Sequence, residues 1–338
     1  MSSSSSASPP SPSSDFRDNV RGILAMLVCC LCFILNDTLV KAAGETLPLG
    51  QVIFWRGVAS VVFVGVAAVW FGALRNARQH LSAALGLRIF GEVAATLLYL
   101  SALLHIPIAV GSTIAQAAPL MITAAGAVFL GEKVGWRRWT AVLVGFLGIL
   151  IIVRPGAEGF GIWSLMALAS VGLVVLRDLM TRRIPASTPT LFITATTAFA
   201  VMVSGAGMAL GEEWRLMTGH EALLTLGSGL FLIGGFIFII IAMRSGDVSI
   251  VSPFRYSFIV YAIVIGYLVW GDVPDGPTLL GIAIVVGAGV YTFLRERQLH
   301  LKTSMAAAAE PGPAGALPRD PANPRPGVVR PSEETPVG

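Results

Sequence analysis

The sequence predicts an all-α membrane protein with ten transmembrane helices, built as two inverted five-helix repeats. Three observations support this prediction: the composition, the spacing of apolar stretches, and a match between the two halves of the chain. Of the 338 residues, 55% are hydrophobic and 12% are charged, whereas a soluble globular domain has about 25% charged residues. This composition excludes a soluble or nucleic-acid-binding role, and the net charge of +4 reflects basic loops.

Ten apolar stretches recur along the chain, and each is long enough to cross about 30 Å of hydrocarbon as a helix. They cover residues 22–43, 49–72, 84–105, 107–130, 136–153, 159–180, 188–210, 221–243, 247–270 and 276–294. The lipid bilayer is therefore the expected surroundings of the chain. An apolar pattern predicts that such a helix exists more reliably than it predicts the residues at which the helix begins and ends.

The two ends of the chain differ from the middle. Residues 1–20 and 298–338 are rich in Ser, Pro, Ala and Gly and lack an apolar period. Such segments cannot bury enough apolar surface to fold. The sequence predicts a disordered N-terminal tail, a first repeat over 21–156, a second repeat over 157–297, and a disordered, Pro-rich C-terminal tail.

Lys and Arg residues are divided unequally between the two sets of loops. Fifteen of them flank or lie in the loops on the N-terminal side, including Arg177 in the loop between helices six and seven, whereas only Lys41, Arg154 and Arg215 lie on the other side. Short cytoplasmic loops carry the excess of Lys and Arg in membrane proteins. We therefore expect a multi-pass protein of the cytoplasmic (inner) membrane with both termini in the cytoplasm.

The two halves of the chain match each other. Residues 111–150 align without gaps on residues 251–290, so that Gly131 falls on Gly271 and Gln116 on Tyr256. Farther upstream, NDTLVK at 36–41 aligns on RDLMTR at 177–182. Each half contains five helices, and an odd number requires the second half to be inserted upside down. Inverted repeats of this kind are typical of secondary transporters, which bind their substrate near the midplane between the repeats.

Several strings resemble a known family. NDTLVK, FWRG, the run PLMITAAGAVFLGEKVGWRRW, and PFRYS followed by GDVPDGPTLLG resemble EamA domains over about residues 21–297. Two such domains are similar to the drug/metabolite transporter superfamily, and the strings resemble a branch of S-adenosylmethionine uptake and riboflavin transporters. Asp272 is a departure, because the family more often has Glu there.

The resemblance implies a secondary active transporter that moves a small polar metabolite across the membrane by alternating access. Uptake of S-adenosylmethionine, or of a nucleoside-like, flavin-like or carboxylate compound, is the expected activity. Export of amino acids or related metabolites is the alternative. A membrane-embedded transferase would need clustered catalytic side chains, and the sequence contains no HExxH or GxSxG motif.

Few polar residues lie inside the predicted helices, and they are the candidates for substrate binding. These are Asn36, Asp37, Arg56, Glu92, Tyr99, Gln116, Arg255 and Tyr256. Gln116 and Tyr256 are repeat counterparts near mid-depth, where inverted-repeat transporters bind substrate. Because adjacent helix residues lie about 100° apart, only one of Arg255 and Tyr256 is expected to face fully inward.

Two charged residues each have two interpretations. Arg255 either pairs with Glu92 or holds a substrate carboxylate or phosphate through its planar guanidinium. Arg56 is expected to form a structural ion pair with Asp37. In a second, functional interpretation, Asp37 or Glu92 carries a coupling proton. Lys41 lies near a helix end, where its long side chain can reach the interface, and is assigned no role.

No metal or cofactor is expected. The three cysteines lie in the first helix as CCLC, without His or carboxylate nearby in the chain. The Gly-rich runs lack the GxxxxGK[ST] pattern of a phosphate loop and fit close packing of helices instead.

Overall fold

The chain forms a helical bundle in a computed structural model, which describes residues 12–73, 77–129, 131, 135–154, 161–185, 187–245 and 247–309. The α-helices in this part of the chain are α1 (Pro12–Gly44), α2 (Leu49–Trp70), α3 (Ala83–Leu103), α4 (Ile108–Ala115), α5 (Ala118–Phe129), α6 (Trp136–Val153), α7 (Gly161–Arg183), α8 (Thr190–Met208), α9 (Gly219–Arg244), α10 (Val248–Val251), α11 (Ser257–Trp270) and α12 (Gly276–Ala309). Short 3₁₀ segments cover Ala77–His80 and Ser252–Tyr256.

Ten spans in the described residues are long and apolar enough to cross a membrane, which confirms the predicted number. Eight of them are single helices. The fourth span consists of α4 and α5. The ninth, Ser252–Trp270, consists of the 3₁₀ segment and α11, and α10 directly precedes it. The two broken spans are the fourth helix of the first repeat and its counterpart in the second.

The first and last helices extend beyond the predicted limits of the spans. α1 already begins at Pro12 and α12 continues to Ala309, although residues 12–20 and 298–309 belonged to the predicted disordered tails. Proline is well placed in a first helical turn, and the alanine-rich end of α12 has high helix propensity. Residues 1–11 and 310–338 lie outside the described part. Met1–Arg297 forms one compact unit and Gln298–Gly338 a second; all ten spans belong to the first.

Short connections make consecutive spans run in opposite directions. We call the side on which α1 begins the proximal side and the side on which α1 ends the distal side. The most extensive contacts are α1 with α9, α3 with α7, and α2 with α8. In the repeat alignment, α1, α2 and α3 correspond to α7, α8 and α9. The pair of α1 with α9 therefore corresponds to the pair of α7 with α3, and the pair of α2 with α8 corresponds to itself. The helix packing therefore follows the inverted repeat.

Backbone details agree with the repeat alignment. Gly131 and Gly271, which are aligned with each other, both have positive φ angles, 66° and 70°. A left-handed conformation of this kind favours glycine, since a Cβ atom is strained there. Pro48 and Pro189 are also counterparts, and they cap the N-termini of α2 and α8.

Small residues allow the helices to approach closely where the repeats meet. A Cβ atom added to Gly148 of α6 would lie 2.9 Å from Ile284 of α12, and one added to Gly205 of α8 would lie 2.6 Å from the backbone nitrogen of Phe54 in α2. These contacts leave no room for a side chain. The Gly-rich runs therefore act as packing surfaces, as expected for membrane helices.

Candidate functional site

The two broken spans meet inside the bundle. α4 ends at Ala115 and Gln116 caps its C-terminus. α5 begins at Ala118, followed by Pro119, which has no N–H group and is suited to a first helical turn. On the other span, Pro253 occupies the start of the 3₁₀ segment. The Gln116 side chain donates from Nε2 to the backbone oxygen of Arg255, at 3.0 Å. The repeat counterparts Gln116 and Tyr256 thus lie at one junction, joined through the neighbouring residue.

Arg255 carries the charge at this junction. Its backbone oxygen also accepts a contact from Cys30 Sγ of α1, at 3.5 Å, so the backbone lies between α1 and α4. Its side chain is exposed, and the guanidinium forms no ion pair or hydrogen bond with any other described side chain. A lipid-facing arginine would cost at least about 2.5–3.5 kcal/mol. Arg255 is thus an exposed charge within a membrane-spanning segment, without a partner among the described side chains.

Tyr256 points the other way. It is 5% exposed and belongs to an apolar cluster with residues of α6 and α12. Its ring meets Phe293 edge-on, with centroids 6.4 Å apart, and a Cβ atom on Gly289 would overlap its hydroxyl group. Only one of the two neighbours, Arg255, is therefore exposed. The aromatic face expected to contact substrate is packed against α12 in this structure.

A second polar cluster lies in the distal half of the bundle. Asp37 accepts hydrogen bonds from Asn36 Nδ2 at 2.8 Å and from Tyr99 Oη at 2.9 Å. Arg56 is 7% exposed, and its Nη1 donates to Asn36 Oδ1 at 3.4 Å. The expected direct pair between Arg56 and Asp37 is not formed among the described residues, because Asn36 lies between them. The cluster brings together four of the predicted site residues.

Glu92 lies in a third cluster, toward the proximal side, and its partner is Arg177. Arg177 Nη1 lies 2.9 Å from Glu92 Oε2, and its Nε lies 2.8 Å from Asp178 Oδ1. The expected pair of Glu92 with Arg255 is thus absent from the described residues. Arg177 was counted as a loop residue, but α7 continues to Arg183, which places Arg177 inside the span. Arg88 of the same face of α3 donates to Thr181, at 3.0 Å.

The distal and proximal clusters are related by the repeat. Asn36 and Asp37 of α1 align with Arg177 and Asp178 of α7, and α3 contributes Tyr99 to one cluster and Glu92 to the other. Seven residues of helix separate these two side chains, which is two turns or about 10 Å on one face. One face of α3 therefore connects the two clusters.

Lys41 is buried near the distal end of the bundle. Its Nζ donates to the backbone oxygens of Leu103 and Ile106, both at 2.7 Å, and lies 5.5 Å from the centroid of the Trp270 ring. Trp270 in turn donates to Glu45. Lys41 is 8% exposed, so it does not extend into solvent as its position suggested. The repeat match of Lys41 with Arg182 was the sequence signal for this residue.

A further distal contact joins α6 to α12 across the repeats. Arg154 Nη2 lies 2.7 Å from Asp275 Oδ1 and also donates to Thr278 Oγ1. The hydrogen bond with the Thr278 side chain, followed by that from Arg154, lowers the pKa of the Asp275 carboxyl group to about 2. The pair therefore stays ionised at neutral pH.

Comparisons with known proteins agree on one family. The model of the EamA-like transporter family matches residues 20–154 and 161–294. The riboflavin transporter of Vibrio cholerae is 28% identical over 276 residues, which is 79% of this chain and 91% of that protein. The pseudopaline exporter CntI of Pseudomonas aeruginosa is 26% identical, over 79% of this chain and 94% of that protein.

Two further comparisons extend this result. The S-adenosylmethionine uptake transporter of Rickettsia prowazekii is 24% identical over 286 residues, covering 82% of this chain and 94% of that protein. A solved crystal structure superposes with a TM-score of 0.58 at 21% identity and covers 83% of this chain and 98% of its own. That likeness concerns the fold alone.

Proposed function

The chain belongs to the EamA-like transporter family, and from this premise we propose that it is a secondary active transporter that works by alternating access. It is a multi-pass membrane transporter and not an enzyme. The proposed cargo is a small polar metabolite. Transport by a gradient suits a chain whose sequence has no phosphate-binding loop for ATP.

The difference between the two sides of the bundle supports alternating access. Lys41 is buried and bonded to backbone oxygens on the distal side, whereas its repeat counterpart Arg182 is exposed on the proximal side. In an inverted-repeat transporter, the two halves exchange conformations when access changes sides. The distal side is then the closed one in the state described above.

The observation that carries the proposal is the exposed guanidinium of Arg255 at the junction of the broken spans. A planar guanidinium recognises carboxylate and phosphate groups with two parallel hydrogen bonds. We propose that Arg255 binds an anionic group of the substrate beside Gln116. Asn36, Asp37, Arg56 and Tyr99 then line the distal part of the path.

The remaining predicted residues have narrower proposed roles. Glu92 orients Arg177 on the proximal part of the path, and Tyr256 supports the junction from behind. Asp37, held between an amide and a phenol group, is the proposed carrier of a coupling proton. With these roles, each of the eight candidate residues predicted from the sequence has a proposed function.

The names of the relatives suggest the substrate class. We propose uptake of S-adenosylmethionine or of a similar nucleoside-like, flavin-like or carboxylate compound, and the guanidinium of Arg255 favours a compound with a carboxylate. Export of amino acids or related metabolites is the second candidate, because one relative is named as a pseudopaline exporter.

Transport measurements test this function directly. Purified full-length protein in proteoliposomes is expected to accumulate radiolabelled S-adenosylmethionine, riboflavin or an amino acid above protein-free vesicles, and the accumulation should depend on an imposed pH gradient. The pH dependence tests Asp37 in its coupling role, and Asp37→Asn should remove it. Transport of none of these compounds in either direction would contradict the proposed substrate class.

We further propose that both termini lie in the cytoplasm, so that the distal side faces outward from the cytoplasmic membrane. The excess of Lys and Arg on the proximal side supports this orientation. Reporter fusions after Arg183 should give cytoplasmic signals, and a fusion after Asp275 should give an external one. A cytoplasmic signal after Asp275 would overturn the orientation.

A further inference from the structure

A groove of about 560 Å³ lies between α1 and α9 at the proximal end of the bundle. Val20, Leu24 and Val28 of α1 form one wall, with exposed fractions of 38%, 57% and 38%. Phe238 and Ile241 of α9 form the other wall. The α1 residues recur at a spacing of four, so they occupy one helix face. This face is apolar and exposed in a segment that spans the membrane.

The groove is closed toward the interior of the bundle. Ala25 at its base is buried, together with Met26, Cys30 and Ala242 behind it. Nearby, a Cβ atom on Gly22 would overlap the backbone oxygen of Ser245. The contact between α1 and α9 is therefore tight below the groove. Its occupant must enter from the bilayer and not from the substrate path.

The length of the groove matches one leaflet. Arg17 and Val28 both line it, and eleven residues of helix between them rise about 16 Å. A bilayer with its headgroup regions is about 40–45 Å thick, so the groove, which begins at the arginines, lies within a single leaflet. An acyl chain of a single leaflet fits this length.

Arginines surround the proximal end of the groove. Arg17 and Arg21 line it one helical turn apart, and both are exposed. Arg244 is the last residue of α9 and lies three positions after Ile241, on the same helix face. The acidic residues nearby in the chain are Asp15, Asp18 and Asp247, but none of the described residues that line the groove is acidic. The two guanidinium groups in the lining therefore place positive charge at lipid headgroup depth.

We propose that this groove binds one anionic phospholipid from the leaflet on the proximal side. Its acyl chain lies along Leu24 and Val28, and its phosphate group lies between Arg17 and Arg21. Guanidinium groups form paired hydrogen bonds with phosphate oxygens, and basic pockets between membrane helices attract anionic headgroups. Because α1 and α9 come from different repeats, the bound lipid connects the repeats at this side.

The test compares phosphatidylglycerol with phosphatidylcholine of the same acyl chains, added to delipidated full-length protein in a neutral detergent. Native mass spectrometry counts retained lipids, and thermal unfolding measures their effect on stability. The parent protein should retain one phosphatidylglycerol and gain several degrees in Tm over the phosphatidylcholine sample. Arg17→Gln with Arg21→Gln should lower the apparent affinity for phosphatidylglycerol at least about tenfold.

Two further variants separate this site from a general effect of charge. Arg137→Gln with Arg183→Gln removes two exposed arginines from the same side, away from the groove, and should retain the parent affinity. Val28→Trp fills the groove and should reduce retention of lipid without changing the charge. Equal retention of both lipids by the parent, or equal losses in the two double variants, would overturn the proposal.

Discussion

Replacing Arg255 with alanine should weaken binding of the transported substrate at least about 30-fold while leaving the Tm of the protein unchanged. Removing one partner of a hydrogen-bonded charge pair that is shielded from water costs about 2–5 kcal/mol of binding free energy, and the lower limit corresponds to this factor. Stability should not change, because the guanidinium has no partner among the described side chains. Arg255→Lys should also bind poorly, since an ammonium group lacks the planar arrangement of donors.

The measurement uses thermal-shift binding with S-adenosylmethionine, riboflavin and an amino acid, and the compound that stabilises the parent serves for the variants. Arg154→Ala is the control, because Arg154 lies outside the proposed substrate path and has a partner, Asp275. It should leave the substrate affinity unchanged and lower the stability only slightly, since it breaks a partly exposed pair. Normal substrate affinity in a stable Arg255→Ala protein would contradict the proposed site.

Replacing Lys41 with methionine should open the distal side. The variant keeps the length of the side chain but removes the donor to two backbone oxygens. Hydrogen bonds to charged groups contribute about 1.5–3 kcal/mol each, so the population open to the distal side should rise at least about tenfold. Transport should fall, because the protein then returns less often to the state with the distal side closed.

Cysteine labelling measures this shift. Ile108 lies near the distal side and is fully buried, so Ile108→Cys can report opening when the three native cysteines are replaced with alanine. A membrane-impermeant maleimide added from the distal side should label this cysteine faster in the Lys41→Met protein. Lys41→Arg, which retains donors, should label like the parent.

Arg182→Met is the corresponding variant on the proximal side, because Arg182 is the repeat counterpart of Lys41. If Arg182 takes the role of Lys41 when the proximal side closes, its loss should favour the proximally open state and slow the distal labelling. Equal labelling rates in the Lys41→Met protein and the parent would show that Lys41 does not close the distal side.

Much of the fold could be predicted from the sequence because the bilayer imposes simple rules. Every backbone polar group in hydrocarbon must be bonded within its own helix, so apolar stretches of sufficient length report membrane helices. The aligned halves then indicated the inverted repeat. The structure retains that relation in Gly131 and Gly271, and in Gln116 and Tyr256, which lie at one junction. The extensions of α1 and α12 were missed because polar, alanine-rich helix carries no apolar period.

The sequence by itself determined the number of spans, the repeat, and most of the polar residues inside the membrane, although it placed Arg177 in a loop. Only the tertiary structure decided which of these residues meet. The sequence suggested Arg255 as the partner of Glu92, but Arg88 and Arg177 lie in the same proximal half. The choice depends on the rotation of each helix about its axis and on which helices are neighbours, and α3 packs most closely on α7. For that reason Glu92 pairs with Arg177, and Arg255 is left exposed at its junction with Gln116.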